Sequence, residues 1–237
     1  MAPILFFLHI PKTAGTSLYQ VFAQQYPGAK LVQAYPPFAA GSLEWAMAAV
    51  ENGAEVFYGH FNFGVHRLLG VRGRYLTMLR QPVDRVVSYF DHQRRHPQAE
   101  HHPMLSQGMT LREFVSQRVT VETNNHMTRM IAGYTHLGYL DDPTVLEQAL
   151  ANFRQAFVCA GITERFEESV AVMAERLGWQ SWRSDAPPRA NRAPHGSHTQ
   201  LDPETRRVIE RDNRLDLSLY RSVAEELERT IQHPPVG

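Results

Sequence analysis

A short turn near the start of the sequence, PKTAGTS (11–17), combines residue types that can bind a phosphate. It follows ILFFLH (4–9), an apolar run typical of a buried strand, and precedes a segment typical of a helix. The free N–H groups and the positive dipole end at the start of a helix attract anions. Lys12 adds a charge, Gly15 lets the backbone approach a ligand, and hydroxyl side chains add donors. This pattern predicts an anion pocket; the alternative is a capped helix without a ligand.

A second anion site is predicted in the segment LRQPVDRVVSYF (79–90). Arg80 ends a strand-like run, and Ser88 lies in a helix that starts near Pro82, since proline favours the first helical position. An arginine can bind a phosphate through two parallel hydrogen bonds, and a serine hydroxyl beside it adds another. Two anion sites on neighbouring strands predict a ligand with two phosphate-like groups.

The candidate general base is a histidine at the end of another strand-like segment. EVFYGH (55–60) places His60 at its carboxyl end. Ligands of a parallel sheet bind beyond the carboxyl ends of the strands, so we expect His60 near the two anion sites. With an unperturbed pKa near ~6.5, a histidine is suited to proton transfer at neutral pH. The alternative is a histidine that only completes the hydrogen bonds of a strand end.

The order of these segments predicts an α/β fold, with one P-loop-like domain over residues 1–237 and a central parallel sheet flanked by helices. Strands are predicted at 4–9, 55–60, 74–80 and 157–162. Helices are predicted at 16–25, 42–52, 82–95, 110–118, 122–132, 143–154, 165–177, 203–212 and 214–231. Loops or irregular segments are predicted at the Pro- and Gly-rich stretches 27–41 and 180–200 and at the His- and Pro-rich stretch 96–108.

Bulk composition argues against several classes of function. The formal net charge is +0, so no global field attracts the chain to nucleic acid or to an anionic membrane. Cys159 is the only cysteine, which excludes an intramolecular disulfide and fits a reducing compartment. The apolar run near the N-terminus is too short for a signal peptide or a membrane span. We therefore expect a cytoplasmic protein without a transmembrane segment.

HIPKTAGTS (9–17) and LRQPVDRVVSYF (79–90) together resemble the two signatures of sulfotransferases that use 3′-phosphoadenosine 5′-phosphosulfate (PAPS). Within that family, the chain most resembles the carbohydrate sulfotransferases similar to heparan sulfate 2-O-sulfotransferase. FYGHFNF (57–63) resembles the strand that carries the catalytic histidine of this branch. FVCAGITERFEESV (157–170) and NRLDLSLY (213–220) also resemble family segments.

The resemblance implies roles for individual residues. The 5′-phosphosulfate would be held by Lys12, Thr13, Ala14, Gly15, Thr16 and Ser17. The 3′-phosphate would be held by Arg80 and Ser88, and His60 would be the general base. The segment 187–198 lies where the family has a loop that closes over the nucleotide, which implies contacts from Arg189, Asn191 and Ser197.

The implied activity is an O-sulfotransferase that moves the sulfuryl group of PAPS to a hydroxyl of a carbohydrate or small-molecule acceptor by in-line displacement. The product would be adenosine 3′,5′-bisphosphate, and the reaction would require no metal. Lys12 would stabilise charge on the bridging oxygen, and His60 would take the acceptor proton. Two alternatives stay open: a nucleotide or small-molecule kinase on a P-loop-like scaffold, and a non-catalytic protein that binds the bisphosphate nucleotide. Lys12 precedes the glycine of its turn, unlike the lysine of a Walker A motif, which disfavours the kinase.

Two further pairs of polar residues are ambiguous in the sequence. Asn125 and Arg129 lie four residues apart on one helical face, where they would either meet the acceptor or brace the sheet. His92 and His96 have the spacing of a metal-binding pair, but the adjacent arginines favour a solvated face, so no metal site is predicted. The sequence does not predict an oligomeric state.

Overall fold

A computed structural model describes residues 2–35, 42–134, 138–179 and 201–233 of the chain. Its strands are β1 (Ile4–Leu8), β2 (Leu31–Ala34), β3 (Val56–Gly59), β4 (Gly73–Leu79) and β5 (Phe157–Ile162). They form a five-stranded parallel sheet in the order β2-β3-β1-β4-β5. The predicted fold class, a parallel sheet flanked by helices, is confirmed.

Helices connect the strands and cover both faces of the sheet. They are α1 (Gly15–Gln25), α2 (Ser42–Glu51), α3 (Val65–Leu68), α4 (Pro82–Arg95), α5 (His102–Leu105), α6 (Leu111–Ser116), α7 (His126–Ala132), α8 (Pro143–Ala156), α9 (Phe166–Leu177), α10 (Pro203–Asp212) and α11 (Arg214–Gln232). Short 3₁₀ turns lie at Gly28–Lys30, Val121–Thr123 and Thr163–Arg165.

Alternation along β1 divides the core between the two faces of the sheet, because successive side chains of a strand point in opposite directions. Phe6 and Leu8 belong to the cluster that includes residues of α7, α8 and α11. Leu5 and Phe7 belong to the cluster that includes residues of α1 and α9. A third cluster joins α4 to α6 and α10. The elements on either side of the turn at 11–17, β1 and α1, thus share the second of these clusters, which holds them together.

The prediction of a loop over 27–41 was wrong at Leu31–Ala34, which form the edge strand β2 beside β3. This strand has only four residues, and three of them are half-buried or exposed. It therefore lacks the continuous apolar run that marks the central strands, and the Pro and Gly residues around it hide the signal.

Two other predicted boundaries differ from the structure. The helix predicted at 122–132 is divided, since Asn125 adopts a left-handed backbone with φ of 46° and α7 begins only after it. The loop predicted at 96–108 contains the short helix α5, which is anchored by the buried Leu105. Tertiary contacts thus fix a helix break at Asn125 and a short helix at α5, neither of which the local sequence indicates.

Candidate active site

Three strands of the sheet end around the turn at residues 11–17, which we call the Lys12 turn. It follows β1, whose two neighbours in the sheet are β3 and β4. His60 comes directly after β3, and Arg80 directly after β4. Because all these strands are parallel, the Lys12 turn lies between His60 and Arg80 at the carboxyl edge of the sheet, where ligands of this architecture bind.

The backbone of the Lys12 turn has the form of an anion site. Lys12 and Ala14 both have left-handed backbones, with φ values of 72° and 63°. Such residues in a turn direct successive N–H groups toward a common concavity that suits an anion. Ala14 precedes α1 and supplies no side-chain cap to the helix. The Thr13 hydroxyl is buried and donates to the carbonyl of Ile10 at 2.8 Å, so this side chain fixes the turn from within.

Positive charge is concentrated at the Lys12 turn. Arg80 donates from Nη1 to the carbonyl oxygen of Lys12 at 3.2 Å. The pKa of Lys12 is lowered, first by burial and then by repulsion from Arg80 and Arg95, while Asp91 partly offsets this effect. A lysine whose pKa is lowered by nearby arginines gains stability from an anion in the same space.

The turn that carries Arg80 is held by residues far along the chain. The backbone N–H of Gln81 donates to Oε1 of Glu164 at 2.8 Å, and the hydroxyl of Tyr220 donates to Oε2 of the same carboxylate at 3.1 Å. Gln81 in turn caps α4 by accepting from the N–H of Asp84. Glu164 and Tyr220 lie in the segments 157–170 and 213–220, so these two segments contribute to the placement of Arg80.

Ser88 lies on α4, eight residues after Arg80, and its side chain is half-buried. Arg85, three residues before it, is fully buried and donates from Nη2 to the carbonyl of Glu122. This hydrogen bond joins α4 to the segment before α7. Binding of a 3′-phosphate by Arg80 and Ser88 stays a prediction.

His60 has a defined tautomer because of its backbone partner. Its Nδ1 lies 2.6 Å from the carbonyl oxygen of His9, and since a carbonyl only accepts, Nδ1 carries the proton. The Nε2 of the neutral ring therefore has the free lone pair that a general base needs. Burial lowers the pKa of His60 below its ordinary value, which keeps the ring neutral at physiological pH.

His9 and Tyr35 complete the surroundings of His60, and neither was predicted as a site residue. The His9 ring lies 4.5 Å from the His60 ring, and its Nδ1 is 3.1 Å from the Tyr35 hydroxyl. The Tyr35 ring meets the His60 ring edge-on at 4.7 Å. His9 stands at the end of the first apolar run, and its position just before the Lys12 turn was the available signal.

Asn125 and Arg129 make the contacts of the bracing alternative. The Asn125 side chain accepts from the N–H groups of Leu215 and Asp216 at the start of α11, and donates to the carbonyl of Leu140. Arg129 is 4% exposed and donates to the carbonyl of Gly138 at 2.8 Å. Their role in acceptor binding stays a prediction without support from these contacts.

Replacing Asn125 with alanine tests the bracing role. We expect Asn125→Ala to lower the free energy of unfolding by about 2–4 kcal/mol, because it leaves buried N–H groups unpaired and places alanine in a left-handed backbone. Asn52→Ala is the matched control, since Asn52 is exposed and its side chain donates to the carbonyl of Ala48, four residues earlier in α2. Chemical denaturation measures both variants. Unchanged stability of Asn125→Ala would favour the acceptor role instead.

Arg189, Asn191 and Ser197 lie outside the described residues, so their predicted contacts with the nucleotide stay predictions. Among the residues that the structure describes, no cluster of three or more His, Cys, Asp or Glu side chains could hold a metal ion. None of the helices in the described ranges is long and apolar enough to cross a membrane.

Comparison with known proteins defines the class to which this site belongs. The model of the sulfotransferase family matches residues 3–221, so the chain belongs to the sulfotransferase family. The protein is therefore an enzyme of sulfuryl transfer, as the resemblance implied. No curated protein matches the sequence.

A solved structure supports the same fold. The chain is similar to mouse sulfotransferase SULT7A1, whose crystal structure is complexed with PAP, at a TM-score of 0.54 and 12% sequence identity. The match covers 94% of this chain and 88% of the mouse chain. At this identity, the likeness concerns the arrangement of the sheet and its helices.

Proposed function

We propose that this chain is a PAPS-dependent O-sulfotransferase that acts on a hydroxyl of a carbohydrate or small molecule, with His60 as general base. One observation carries the proposal. The Lys12 turn, which has Arg80 and Arg95 near its lysine and no side-chain cap on the helix that follows, lies beside a neutral histidine whose Nε2 is unprotonated. The first feature suits the phosphosulfate end of a donor, and the second suits the activation of a hydroxyl. Within the sulfotransferase family, this combination favours catalysis over simple nucleotide binding.

The residues present fit such a donor. Arg80 and Arg95 both repel Lys12 in the folded chain, so a polyanionic ligand would offset this repulsion. The left-handed residues Lys12 and Ala14 supply backbone N–H groups for its 5′ end. Thr16 and Ser17 follow on the first turn of α1, and Arg80 with Ser88 would hold the 3′-phosphate. Arg189, Asn191 and Ser197 are proposed to contact the bound nucleotide as well.

Each residue has a separate part in the proposed chemistry. When bound, PAPS supplies an activated sulfuryl group whose leaving group is adenosine 3′,5′-bisphosphate. Lys12 stabilises the negative charge that develops on the bridging oxygen as adenosine 3′,5′-bisphosphate leaves. His60 takes the proton of the acceptor hydroxyl at Nε2, and its Nδ1–H stays bound to the His9 carbonyl throughout. Arg80 keeps the Lys12 backbone in place through its own hydrogen bond.

The pH dependence follows from the burial of His60. The neutral ring is the active base, and burial lowers its pKa below the ordinary value of 6.5. We therefore expect kcat/KM to stay level as the pH falls through 6.5, and to be lost only at lower pH, as the ring becomes protonated. A kcat/KM profile over the acidic range measures this limb. A half-loss at or above pH 6.5 would show that the active base lies in a more exposed or more negative environment.

The proposed reaction is tested by incubating the chain with PAPS and a panel of neutral and acidic mono- and oligosaccharides. We expect acceptor-dependent formation of adenosine 3′,5′-bisphosphate and of a sulfated product, without added metal. A parallel incubation with ATP and magnesium tests the kinase alternative. Binding of the bisphosphate without transfer to any member of the panel would support the non-catalytic alternative instead. The cytoplasmic location stays a prediction that this assay does not address.

A further inference from the structure

The backbone of His9 is fixed to the end of β3 on both sides. Its N–H donates to the carbonyl of Gly59 at 2.8 Å, and its carbonyl accepts from Nδ1 of His60 at 2.6 Å. His9 is thereby the point where the first strand, the Lys12 turn and the proposed base meet. Its backbone defines the orientation of His60, and its side chain occupies the space beside that ring.

The His9 side chain lies between the Lys12 turn and His60. On one side, its ring is 4.5 Å from the His60 ring, with an angle of 31° between the two planes. On the other side, it packs directly against Gly15, at the start of α1. Its Nδ1 is within hydrogen-bond distance of the Tyr35 hydroxyl. Removal of this ring would leave a gap between Gly15 and His60.

The His9 ring leaves no room for a side chain at position 15, which is why this residue is glycine. It is the first residue of α1 and has no left-handed backbone, so its conformation is one that alanine adopts readily. A Cβ at this position, however, would overlap Nε2, Cδ2 and Cε1 of His9. The requirement for glycine therefore comes from the His9 side chain. The sequence suggested another reason, close approach of the backbone to a ligand.

We propose that His9 is a positioning residue whose ring, packed between Gly15 and His60, holds the His60 ring beside the Lys12 turn. The inference rests on the proposed function of His60 as base. His9 does not act through charge, because burial and the nearby charges of His60 and Lys12 lower its pKa to about 3; its contacts are packing contacts with Gly15 and His60. Its ring is uncharged at any pH at which the enzyme would work.

The kinetic test compares His9→Ala with Tyr35→Phe, using PAPS and whichever panel acceptor the wild-type chain sulfates. We expect His9→Ala to lower kcat by about 10–10²-fold, the scale of a small misplacement of a reacting group, with little change in KM for PAPS. Water would reach His60 and move the acidic limb of kcat/KM upward, toward pH 6.5. Tyr35→Phe keeps its ring against His60 and loses only a hydroxyl, so a smaller loss is expected.

Three kinetic results would overturn the proposal. The first is wild-type kcat in His9→Ala. The second is a lower kcat in His9→Ala while kcat/KM falls at the same acidic pH as in the wild type. A merely structural defect lowers the amount of active enzyme in this way, without changing the pKa of the base. The third is a loss in Tyr35→Phe as large as that in His9→Ala, which would assign the role to Tyr35.

The packing itself is tested by thermal melting of Gly15→Ala in two backgrounds. In the wild-type background, the added methyl group meets the His9 ring, and we expect the Tm to fall by several degrees. In the His9→Ala background, the space is open, and the same substitution should cost little or slightly raise the Tm, because alanine favours a helix. An equal loss of Tm in both backgrounds would overturn the proposal.

The two proposals fail in different ways. Melting reports the contact between His9 and Gly15 whether or not the chain transfers sulfuryl groups. A Gly15→Ala penalty that persists in His9→Ala, in a chain active with PAPS, would refute only the role of His9. A wild-type chain that neither binds the bisphosphate nor uses PAPS would refute the proposed function, and with it any role of His9 in positioning a base.

Discussion

Replacing His60 with alanine is expected to lower kcat by about 10²–10⁴-fold, the usual contribution of a positioned general base. The unprotonated Nε2 of His60 is the atom proposed to take the proton of the acceptor hydroxyl, and alanine has no group that can do so. Affinity for adenosine 3′,5′-bisphosphate should survive, because His60 is not among the groups proposed to hold the nucleotide. Steady-state kinetics and a binding titration measure the two effects separately.

Two further variants sharpen this test. His60→Asn retains an N–H group that can donate to the His9 carbonyl, so it separates loss of the base from loss of that hydrogen bond; its kcat should be nearly as low as that of His60→Ala. His233→Ala is the control, since this histidine is exposed beyond the end of α11. Parallel loss of nucleotide binding and of kcat in His60→Ala would identify His60 as a structural residue.

Replacing Lys12 with alanine has the second large expected effect. We predict that kcat falls by about 10²–10³-fold, as when another donor to a developing charge is removed from an active site. The repulsion from Arg80 and Arg95 that lowers the pKa of Lys12 also ends in this variant. Affinity for the bisphosphate should therefore decline less than kcat, because the remaining cations still attract the nucleotide.

The chain offers a matched control for this substitution. Lys30 is the only other lysine, and it forms an exposed ion pair with Glu55 at 2.7 Å on the surface. Lys30→Ala changes the net charge by the same amount as Lys12→Ala, and it should leave kcat and nucleotide affinity unchanged. Equal effects of the two variants would mean that Lys12 acts only through the overall charge of the protein.

The central strands and the position of the site could be predicted because their signals are local. The continuous apolar run of β1 and the mostly apolar segment Tyr75–Leu79 of β4 mark buried strands, and the residues that follow them lie at the carboxyl edge of the sheet. Proline at the first position of α4 marks the start of that helix. From these signals alone, Lys12, His60 and Arg80 were expected at one edge, and the structure places them there.

The supporting contacts could not be predicted because they join residues far apart in sequence. Glu164 meets Gln81 across 83 positions, and Asn125 meets Leu215 across 90. Neither partner carries a local pattern that identifies the other. The packing of His9 on Gly15 was missed for a related reason: its consequence, the exclusion of a Cβ, is visible only in the folded chain. That residues 1–237 form one domain stays a prediction.

The most direct test of the donor site is a melting scan with adenosine 3′,5′-bisphosphate beside adenosine 5′-monophosphate, without metal. At about 100 times its dissociation constant, a ligand adds ~2.7 kcal/mol of stability. We expect the bisphosphate to raise the Tm clearly and the monophosphate to raise it much less, because only the bisphosphate engages both the Lys12 turn and Arg80. Equal shifts, or no shift with either nucleotide, would contradict a site built from these two parts.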